Sequence, residues 1–214
     1  MYAECDAFES ALRVFKDFPG PDTVVENAMI TAYMNRGRII EAEGVFNAMR
    51  AKDVASYSAM VTGYSKNSMH SKALNVFRDA MDRGFDPNES MVVSALSSCA
   101  RTGNLCQGRR IHAHVENNNM SIRIATAVVD MYAKCGCVRS GCEVFGEMPS
   151  KDVVAYGAMI SGFANHGLAE RAFEVFEAME QNNVRPNEAI FVSMMVACAH
   201  AGKVERGLGY FDKW

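Results

Sequence analysis

Apolar residues recur along this chain at the spacing of one helix face. Met29 and Tyr33 lie one helical turn apart, and a second run continues through Ala42 and Phe46. Residues 54–88 repeat both runs. Apolar residues at i, i+3, i+4 and i+7 are typical of an amphipathic helix that buries one face. Each stretch therefore predicts two consecutive helices.

Glycine and proline mark the boundaries between the predicted helices. Gly37, Gly136 and Gly167 follow a predicted first helix, where glycine can take the left-handed conformation that closes a helix. Pro87 and Pro186 are expected to stop the second helix and to fix the link that follows it. These signals predict a series of helical hairpins.

The chain also carries an internal duplication. Residues 54–60 match residues 153–159 at an offset of 99 positions, and residues 87–89 match residues 186–188 in the same register. A helical hairpin cannot bury its apolar faces alone, so neighbouring hairpins must stack. The predicted fold is an all-α solenoid in which one array covers 1–214. We assign partial repeats to 1–22 and 188–214, which indicate a fragment, and whole repeats to 23–53, 54–88, 89–121, 122–152 and 153–187.

Bulk composition is consistent with a folded protein of this kind. Hydrophobic residues make up 49% of the chain, which is enough for a core, and no stretch is apolar for long enough to predict a membrane span. The sequence begins without a recognisable secretory or transit signal. A net charge of -3 contrasts with the basic balance usual for nucleic-acid binders.

Sulfur-containing residues indicate a core role rather than a metal or disulfide framework. Seven scattered cysteines predict reduced thiols, and Cys135, Cys137 and Cys142 lack a second Cys/His pair at zinc-ligand spacing. We therefore predict no metal and no other cofactor. Core filling is predicted for a periodic stripe of methionines: Met29, Met49, Met60, Met148, Met159 and Met179.

The repeat sequences resemble those of the pentatricopeptide repeat family. Val-Ala-Ser-Tyr-Ser-Ala-Met-Val-Thr-Gly-Tyr at 54–64 and its counterpart at 153–163 are similar to the family's first helix, and Ala-x-x-Val-Phe follows each. Met-Tyr-Ala-Lys-Cys-Gly at 131–136 looks like the plant subclass that mixes three repeat variants. The resemblance implies a right-handed, tetratricopeptide-like superhelix that binds single-stranded RNA in a mitochondrion or chloroplast.

The resemblance also implies which residues select the bases. In this family each repeat reads one base, and the fifth and the last residue of the repeat read it together. For the first three pairs the resemblance implies uracil, adenine and guanine, whereas Gly157 has no side chain with which to read. The pairs are Asn27 with Asp53, Ser58 with Asn88, Thr126 with Asp152, and Gly157 with Asn187.

Two further positions are implied to contact RNA. Aliphatic residues at the second place of a repeat are expected to sandwich the base, and Val24, Ala55 and Val154 match this feature, whereas Arg123 does not. Lysines near the end of the first helix are expected to contact phosphate, and Lys66 and Lys134 match this place, whereas Asn35 and Asn165 replace them elsewhere. Val93 occupies the fifth place of the 89–121 repeat, whose base we leave unassigned.

Other interpretations of these residues remain open. Asp22, Asp53 and Asp152 are also good helix caps, and an acidic chain of hairpins also suits a protein-interaction scaffold of tetratricopeptide type. His114 and Glu116 satisfy half of a zinc deaminase signature, but Pro-Cys-x-x-Cys occurs nowhere in the chain. We therefore expect RNA binding for C-to-U editing or other maturation without intrinsic catalysis, with any deaminase or processing factor acting in trans.

Overall fold

The computed structural model describes residues 22–116 and 120–213, and these ranges are entirely helical with connecting turns. The predicted partial repeat at 1–22 lies, except for Asp22, outside the described residues. In the described ranges the helices are α1 Thr23–Asn35, α2 Ile39–Ala48, α3 Val54–Lys66, α4 His70–Asp82, α5 Glu89–Thr102, α6 Leu105–Glu116, α7 Ile122–Lys134, α8 Val138–Glu147, α9 Val153–Asn165, α10 Ala169–Gln181, α11 Glu188–Ala201 and α12 Val204–Lys213.

The first helix of each repeat begins where its sequence provides a cap. Asp53 accepts a hydrogen bond from the Ser56 backbone N–H, and the Ser56 hydroxyl accepts one from the Asp53 backbone, which forms a capping box. Asp152 and Asn187 cap α9 and α11 through one side-chain oxygen each. A cap satisfies N–H groups that the first helical turn leaves unpaired, so these polar residues fix where each first helix starts.

Left-handed residues close the first helices, as predicted. The φ angles of Gly37, Gly136 and Gly167 are 69°, 78° and 70°. Ser68 follows α3 at the equivalent place and has a φ of 59°, although it carries a side chain. The turn geometry is therefore imposed by the repeat, because it persists where the sequence does not supply glycine.

The prediction that proline stops the second helices is wrong. α4 ends at Asp82 and α10 ends at Gln181, before Pro87 and Pro186 are reached. Gly84 and Asn183 lie just beyond these ends with φ angles of 79° and 57°. A left-handed residue terminates each helix first, and the proline lies in the extended link that leads to the next repeat.

The chain divides into two compact units, an N-terminal unit up to Ser98 and a C-terminal unit from Cys99 onward, with the division inside α5. In the N-terminal unit α1 packs on α2 and α3, and α3 packs on α4. In the C-terminal unit α7, α9 and α11 lie side by side, and each packs on the second helix of its own hairpin. The arrangement of all repeats in one array stays a prediction.

The core of each unit lies between the helices of its hairpins. All six methionines of the predicted stripe are buried, with exposed fractions of 5% or less, so their assignment to the core is confirmed. Large rings such as Tyr57, Phe173 and Phe176 are buried with them. Among the residues with described positions, none of the helices combines the length and the hydropathy that crossing a bilayer demands.

Glycines allow neighbouring first helices to approach closely. A Cβ atom on Gly63 of α3 would lie 2.3 Å from the Met34 Cγ of α1. A Cβ atom on Gly162 of α9 would lie 2.7 Å from the Ala133 Cβ of α7. Both glycines occupy the tenth place of a repeat, and this close approach sets the spacing of the surface that first helices form.

Candidate functional site

A groove of about 500 Å³ runs over the first helices of the N-terminal unit. The fifth, ninth and thirteenth residues of two repeats line it, because residues four apart share one face of a helix. Asn88 and Ser90 at the start of α5 line it as well. These fifth, ninth and thirteenth residues, which we call the polar stripe, are Asn27, Thr31 and Asn35 in α1, and Ser58, Thr62 and Lys66 in α3.

The predicted pair of Asn27 and Asp53 is joined by a hydrogen bond. Asn27 Nδ2 donates to Asp53 Oδ1 at 3.1 Å, and the same oxygen accepts from the Ser56 backbone N–H at 2.7 Å. Burial raises the pKa of Asp53, but hydrogen bonds from Ser56 and Asn27 outweigh burial and lower it. Asn27 Oδ1 is buried without a hydrogen-bond partner among the described residues. The pair thus offers an ionised carboxylate, whereas the unpaired amide oxygen of Asn27 is shielded from solvent.

The predicted pair of Ser58 and Asn88 is also in contact. Ser58 Oγ donates to Asn88 Oδ1 at 3.0 Å, and the Met91 backbone N–H donates to the same oxygen at 2.9 Å. Both hydrogen bonds use the amide oxygen, so the Asn88 Nδ2 group faces away from them. This pair therefore differs from the first in chemistry, since it offers amide N–H donors where Asp53 offers a carboxylate.

The two predicted pairs of the C-terminal unit show fewer hydrogen bonds and polar atoms than the pairs of the N-terminal unit. Thr126 is buried to 8% exposure, and its hydroxyl has no hydrogen-bond partner among the described residues. Asp152 is exposed and caps α9 through Oδ1. Gly157 contributes no polar side-chain atom, and a Cβ there would lie 3.4 Å from Ile190 Cγ1. Asn187 caps α11, so the last pair has a single polar side chain.

Second-place residues are exposed on the helix starts. Val24 is 76% exposed and Val154 is 59% exposed, which is unusual for valines in a folded chain. Ala55 lines the groove and is exposed too, and Arg123 projects its charge at the same place of its repeat. Because these aliphatic groups stand open to solvent, they are available to contact a flat apolar ligand.

The two predicted phosphate lysines differ in their surroundings. Lys66 lines the groove and makes no ion pair within the described ranges. Lys134 Nζ lies 2.8 Å from Asp130 Oδ2, so its charge is balanced by a carboxylate one turn earlier in α7. The asparagines that replace lysine in α1 and α9 are exposed, and Asn165 donates to the Ser161 hydroxyl at 3.4 Å.

The helix-cap interpretation of the last-place residues is confirmed for Asp22, Asp53 and Asp152, each of which accepts a backbone N–H. A cap engages one side-chain oxygen and leaves the remaining polar atom of the residue available. Capping and ligand contact are therefore compatible at the same position.

The sequence analysis did not identify the hydroxyl groups at the ninth place of a repeat as part of the site. Thr62 Oγ1 lies 3.0 Å from Ser94 Oγ and 3.4 Å from Ser90 Oγ, which links α3 to the start of α5. Thr31 Oγ1 donates to the Asn27 carbonyl oxygen at 3.0 Å. The signal in the sequence is that a threonine stands four residues after the fifth place in both α1 and α3.

The cysteines within 22–116 and 120–213 do not form a recognisable reactive site. In the described ranges no three potential metal-ligating side chains come together. The Cys137 thiol accepts from Arg109 at 3.4 Å, and its pKa is lowered by hydrogen bonds with Ser140 and Arg109. Burial raises the pKa of Cys135 and of Cys142, which keeps both thiols protonated at neutral pH.

The partial deaminase signature lies on a second helix. His114 and Glu116 both belong to α6, on the opposite member of the hairpin from the first helices that carry the predicted base-reading residues. Their place in the repeat is thus that of ordinary second-helix residues.

Curated proteins of similar sequence are long plant repeat proteins. A pentatricopeptide repeat-containing protein of Arabidopsis thaliana is 34% identical over 192 residues, which cover 89% of this chain and 33% of that protein. Another from the same plant, named chloroplastic, is 32% identical over 203 residues, which cover 89% of this chain and 23% of that protein. The chain therefore spans a third or less of the length of these relatives.

Solved structures share the fold. The pentatricopeptide repeat protein PPR10 from maize superimposes with a TM-score of 0.73 at 21% identity, covering 99% of this chain and 32% of that one. PPR10 in complex with an 18-nt psaJ RNA element gives the same TM-score at 20% identity. A tetratricopeptide repeat protein from Parabacteroides merdae gives 0.64 at 16% identity. The predicted fold class, an all-α helical-hairpin repeat fold of the tetratricopeptide-like solenoid type, is confirmed.

Family models match the pentatricopeptide type of repeat. The model described as the PPR repeat matches residues 27–54, 55–85, 124–153 and 189–214. A second model, described as the PPR repeat family, matches residues 151–200. The matches leave the α5–α6 hairpin uncovered but together extend over more than half of the chain, which therefore belongs to the pentatricopeptide repeat family.

Proposed function

We propose that this chain binds single-stranded RNA and selects bases through the fifth and last residues of its repeats. The observation that supports the proposal most directly is the groove lined by Asn27, Ser58, Asn88 and Lys66. It joins hydrogen-bonding side chains, an exposed aliphatic group and a lysine that forms no ion pair with any described residue. PPR10, which shares the fold, is found in complex with an 18-nt RNA element, and this ligand class is consistent with the groove.

The polar atoms left by each pair suit the bases that we assign. Hydrogen bonds from Asn27 and Ser56 use Asp53 Oδ1, which leaves Oδ2 as an acceptor for the N3–H donor of uracil. Asn88 offers amide N–H donors, which complement the ring-nitrogen acceptors of adenine. The Thr126 hydroxyl and the Asp152 carboxylate complement the N1–H and amino group of guanine. The pair of Gly157 and Asn187 lacks one side chain, so we assign it no base.

Aliphatic side chains and lysines would add to the contacts that the polar pairs make with the bases. Val24, Ala55 and Val154 would sandwich bases through their exposed aliphatic groups, since apolar contact with a flat ring removes surface from water. Lys66, and more weakly Lys134, would contact phosphates. The chain would act as a targeting module in mitochondrial or chloroplast RNA maturation, such as C-to-U editing, and a deaminase or other factor would supply the chemistry in trans.

A binding measurement tests the proposal. The chain is titrated with a short RNA that carries the assigned bases in order and with one of scrambled order. We expect tighter binding to the first, and Asn27→Ala or Thr126→Ala should weaken it by about tenfold, equivalent to about 1.4 kcal/mol. Asn47→Ala on the second helix α2 is the matched control and should leave affinity unchanged.

A scaffold function predicts a different pattern. Equal and weak binding to both RNAs, unaltered by Asn27→Ala and Thr126→Ala, would contradict the RNA proposal. That result would favour protein partners, which the tetratricopeptide-like fold also accommodates.

A further inference from the structure

The fifth, ninth and thirteenth residues of the first helices differ in charge between the repeats. In the N-terminal unit the fifth, ninth and thirteenth residues of α1 and α3 all line the groove. The same three places are held by Thr126, Asp130 and Lys134 in α7. The ninth place is Thr31, Thr62 and Ser161 in three other first helices, so α7 replaces a neutral hydroxyl with a carboxylate.

Asp130 also changes the lysine beside it. Its Oδ2 lies 2.8 Å from Lys134 Nζ, and the Lys134 and Asp130 side chains are 49% and 30% exposed. In α3 the equivalent residue, Thr62, contacts serine hydroxyls and cannot balance the charge of Lys66. A phosphate that approaches Lys66 therefore meets a full positive charge. A phosphate that approaches Lys134 meets an ion pair whose net charge is zero and whose carboxylate repels it.

We propose that Asp130 is a negative determinant of backbone binding, which weakens phosphate contact in the 122–152 repeat and leaves Lys66 as the principal anion contact. This inference rests on the proposed function, because it concerns how first-helix residues of the 122–152 repeat would contact RNA. Its physical basis is that ion pairing and like-charge repulsion both oppose phosphate at α7, while base selection by Thr126 and Asp152 is unaffected.

Removal of the carboxylate tests the inference on the whole chain. Asp130→Thr installs the residue found in α3, and Asp130→Asn removes the charge with little change of shape. Either variant should raise affinity for the RNA with the assigned bases by about fivefold at low salt. The slope of log K against log salt should become steeper by about 0.7, the value for one added phosphate contact on a single strand.

Two control variants make the test specific. Glu143→Gln removes a carboxylate from the Arg139 pair on the second helix α8 and changes net charge by the same amount, and it should leave affinity unchanged. The double variant Asp130→Thr with Lys134→Ala has the original net charge and should lose the gain.

The possible outcomes separate the two proposals. If the native chain binds RNA selectively but Asp130→Thr and Asp130→Asn bind no better, this inference is wrong and the proposed function stands. An equal gain from Glu143→Gln would also overturn it, because the effect would then come from net charge alone. If neither the native chain nor the Asp130 variants bind RNA, both proposals fail.

Discussion

Under the proposed function, the side-chain atoms that a helix cap leaves unused decide which base each repeat can recognise. Asn88 and Asp53 each accept a backbone N–H and a bond from the fifth-place side chain through Oδ1. The remaining atom is an amide nitrogen in one case and a carboxylate oxygen in the other. Both residue types cap helices well, so the cap permits a change of recognition chemistry with little loss of stability.

We predict that Asn88→Asp changes base preference in the 54–88 repeat. Aspartate retains the bond to the Met91 backbone N–H, so the free energy of unfolding should change by less than about 0.5 kcal/mol. The amide donors are replaced by an acceptor, and preference should move from adenine to guanine. Competition binding with RNAs that differ only at that base measures the change; an unaltered preference for adenine would contradict the assigned pair.

At the scale of helices, repeat geometry overrides local preference at the end of α3. Ser68 takes a φ of 59° so that the Met69 backbone N–H can donate to the Tyr64 carbonyl oxygen at 2.8 Å. For a residue with a side chain this conformation costs roughly 1–2 kcal/mol. Glycine avoids that strain but loses more conformational freedom on folding.

Ser68→Gly is therefore expected to stabilise the chain. The relief of strain should exceed the added entropy cost and raise the free energy of unfolding by about 0.5–1 kcal/mol. Urea denaturation measures the difference. The reverse substitution Gly37→Ser, at the equivalent turn after α1, should lower stability by a similar amount. A loss of stability in Ser68→Gly would show that the serine side chain makes a compensating contact.

The close approach of α7 and α9 leads to a second stability prediction. Gly162→Ala places a Cβ only 2.7 Å from the Ala133 Cβ, and the backbone of α7 stands behind it. Overpacking typically costs roughly 1–3 kcal/mol, more than the gain of about 1 kcal/mol from alanine in a helix. The variant should therefore lose about 1–2 kcal/mol of stability in thermal or urea unfolding.

A matched control lies on the second helix α2. Gly44 has no described atom within 4 Å of a Cβ added to it, so Gly44→Ala should gain about 0.5–1 kcal/mol. Opposite signs for the two substitutions are expected; a gain in both would mean that α7 and α9 separate readily.

For the molecule as a whole, the distribution of charge matters more than its sum. The net charge of -3 opposes RNA, and many cations are engaged by neighbouring carboxylates, such as Lys72 by Glu43 and Arg206 by Glu177. Lys66 is different because it lines the groove and pairs with no carboxylate in the part of the chain that the structure describes. RNA binding should therefore depend on base contacts and stacking more than on phosphate attraction.

This distribution predicts a shallow salt dependence. With one or two phosphate contacts, the slope of log K against log salt should lie near -0.7 to -1.4 (about -0.7 for each contact on a single strand). Lys66→Ala should remove about 0.7 from the slope, whereas Lys52→Ala, on the loop after α2, should not change it. A slope steeper than about -4 would indicate a basic surface elsewhere in the chain.

Sequence alone determined the helices and their repeat register. Apolar spacing predicted two helices in each hairpin, and the first helices begin at Thr23, Val54, Glu89, Ile122, Val153 and Glu188, the first residues of the assigned repeats. These features are local, because a cap, a helical period and a closing glycine act within a few residues. The buried methionines follow from the same period.

Tertiary structure decided how side chains meet between helices. The bonds from Asn27 to Asp53 and from Ser58 to Asn88 each join a first helix to the far end of the same repeat, across the second helix that lies between them in sequence. The sequence analysis placed the ends of α4 and α10 at the following prolines, whereas a left-handed residue before each proline ends the helix. These contacts depend on which side chains are brought together when the helices pack. That is a non-local property, and it cannot be read from residue types and their spacing.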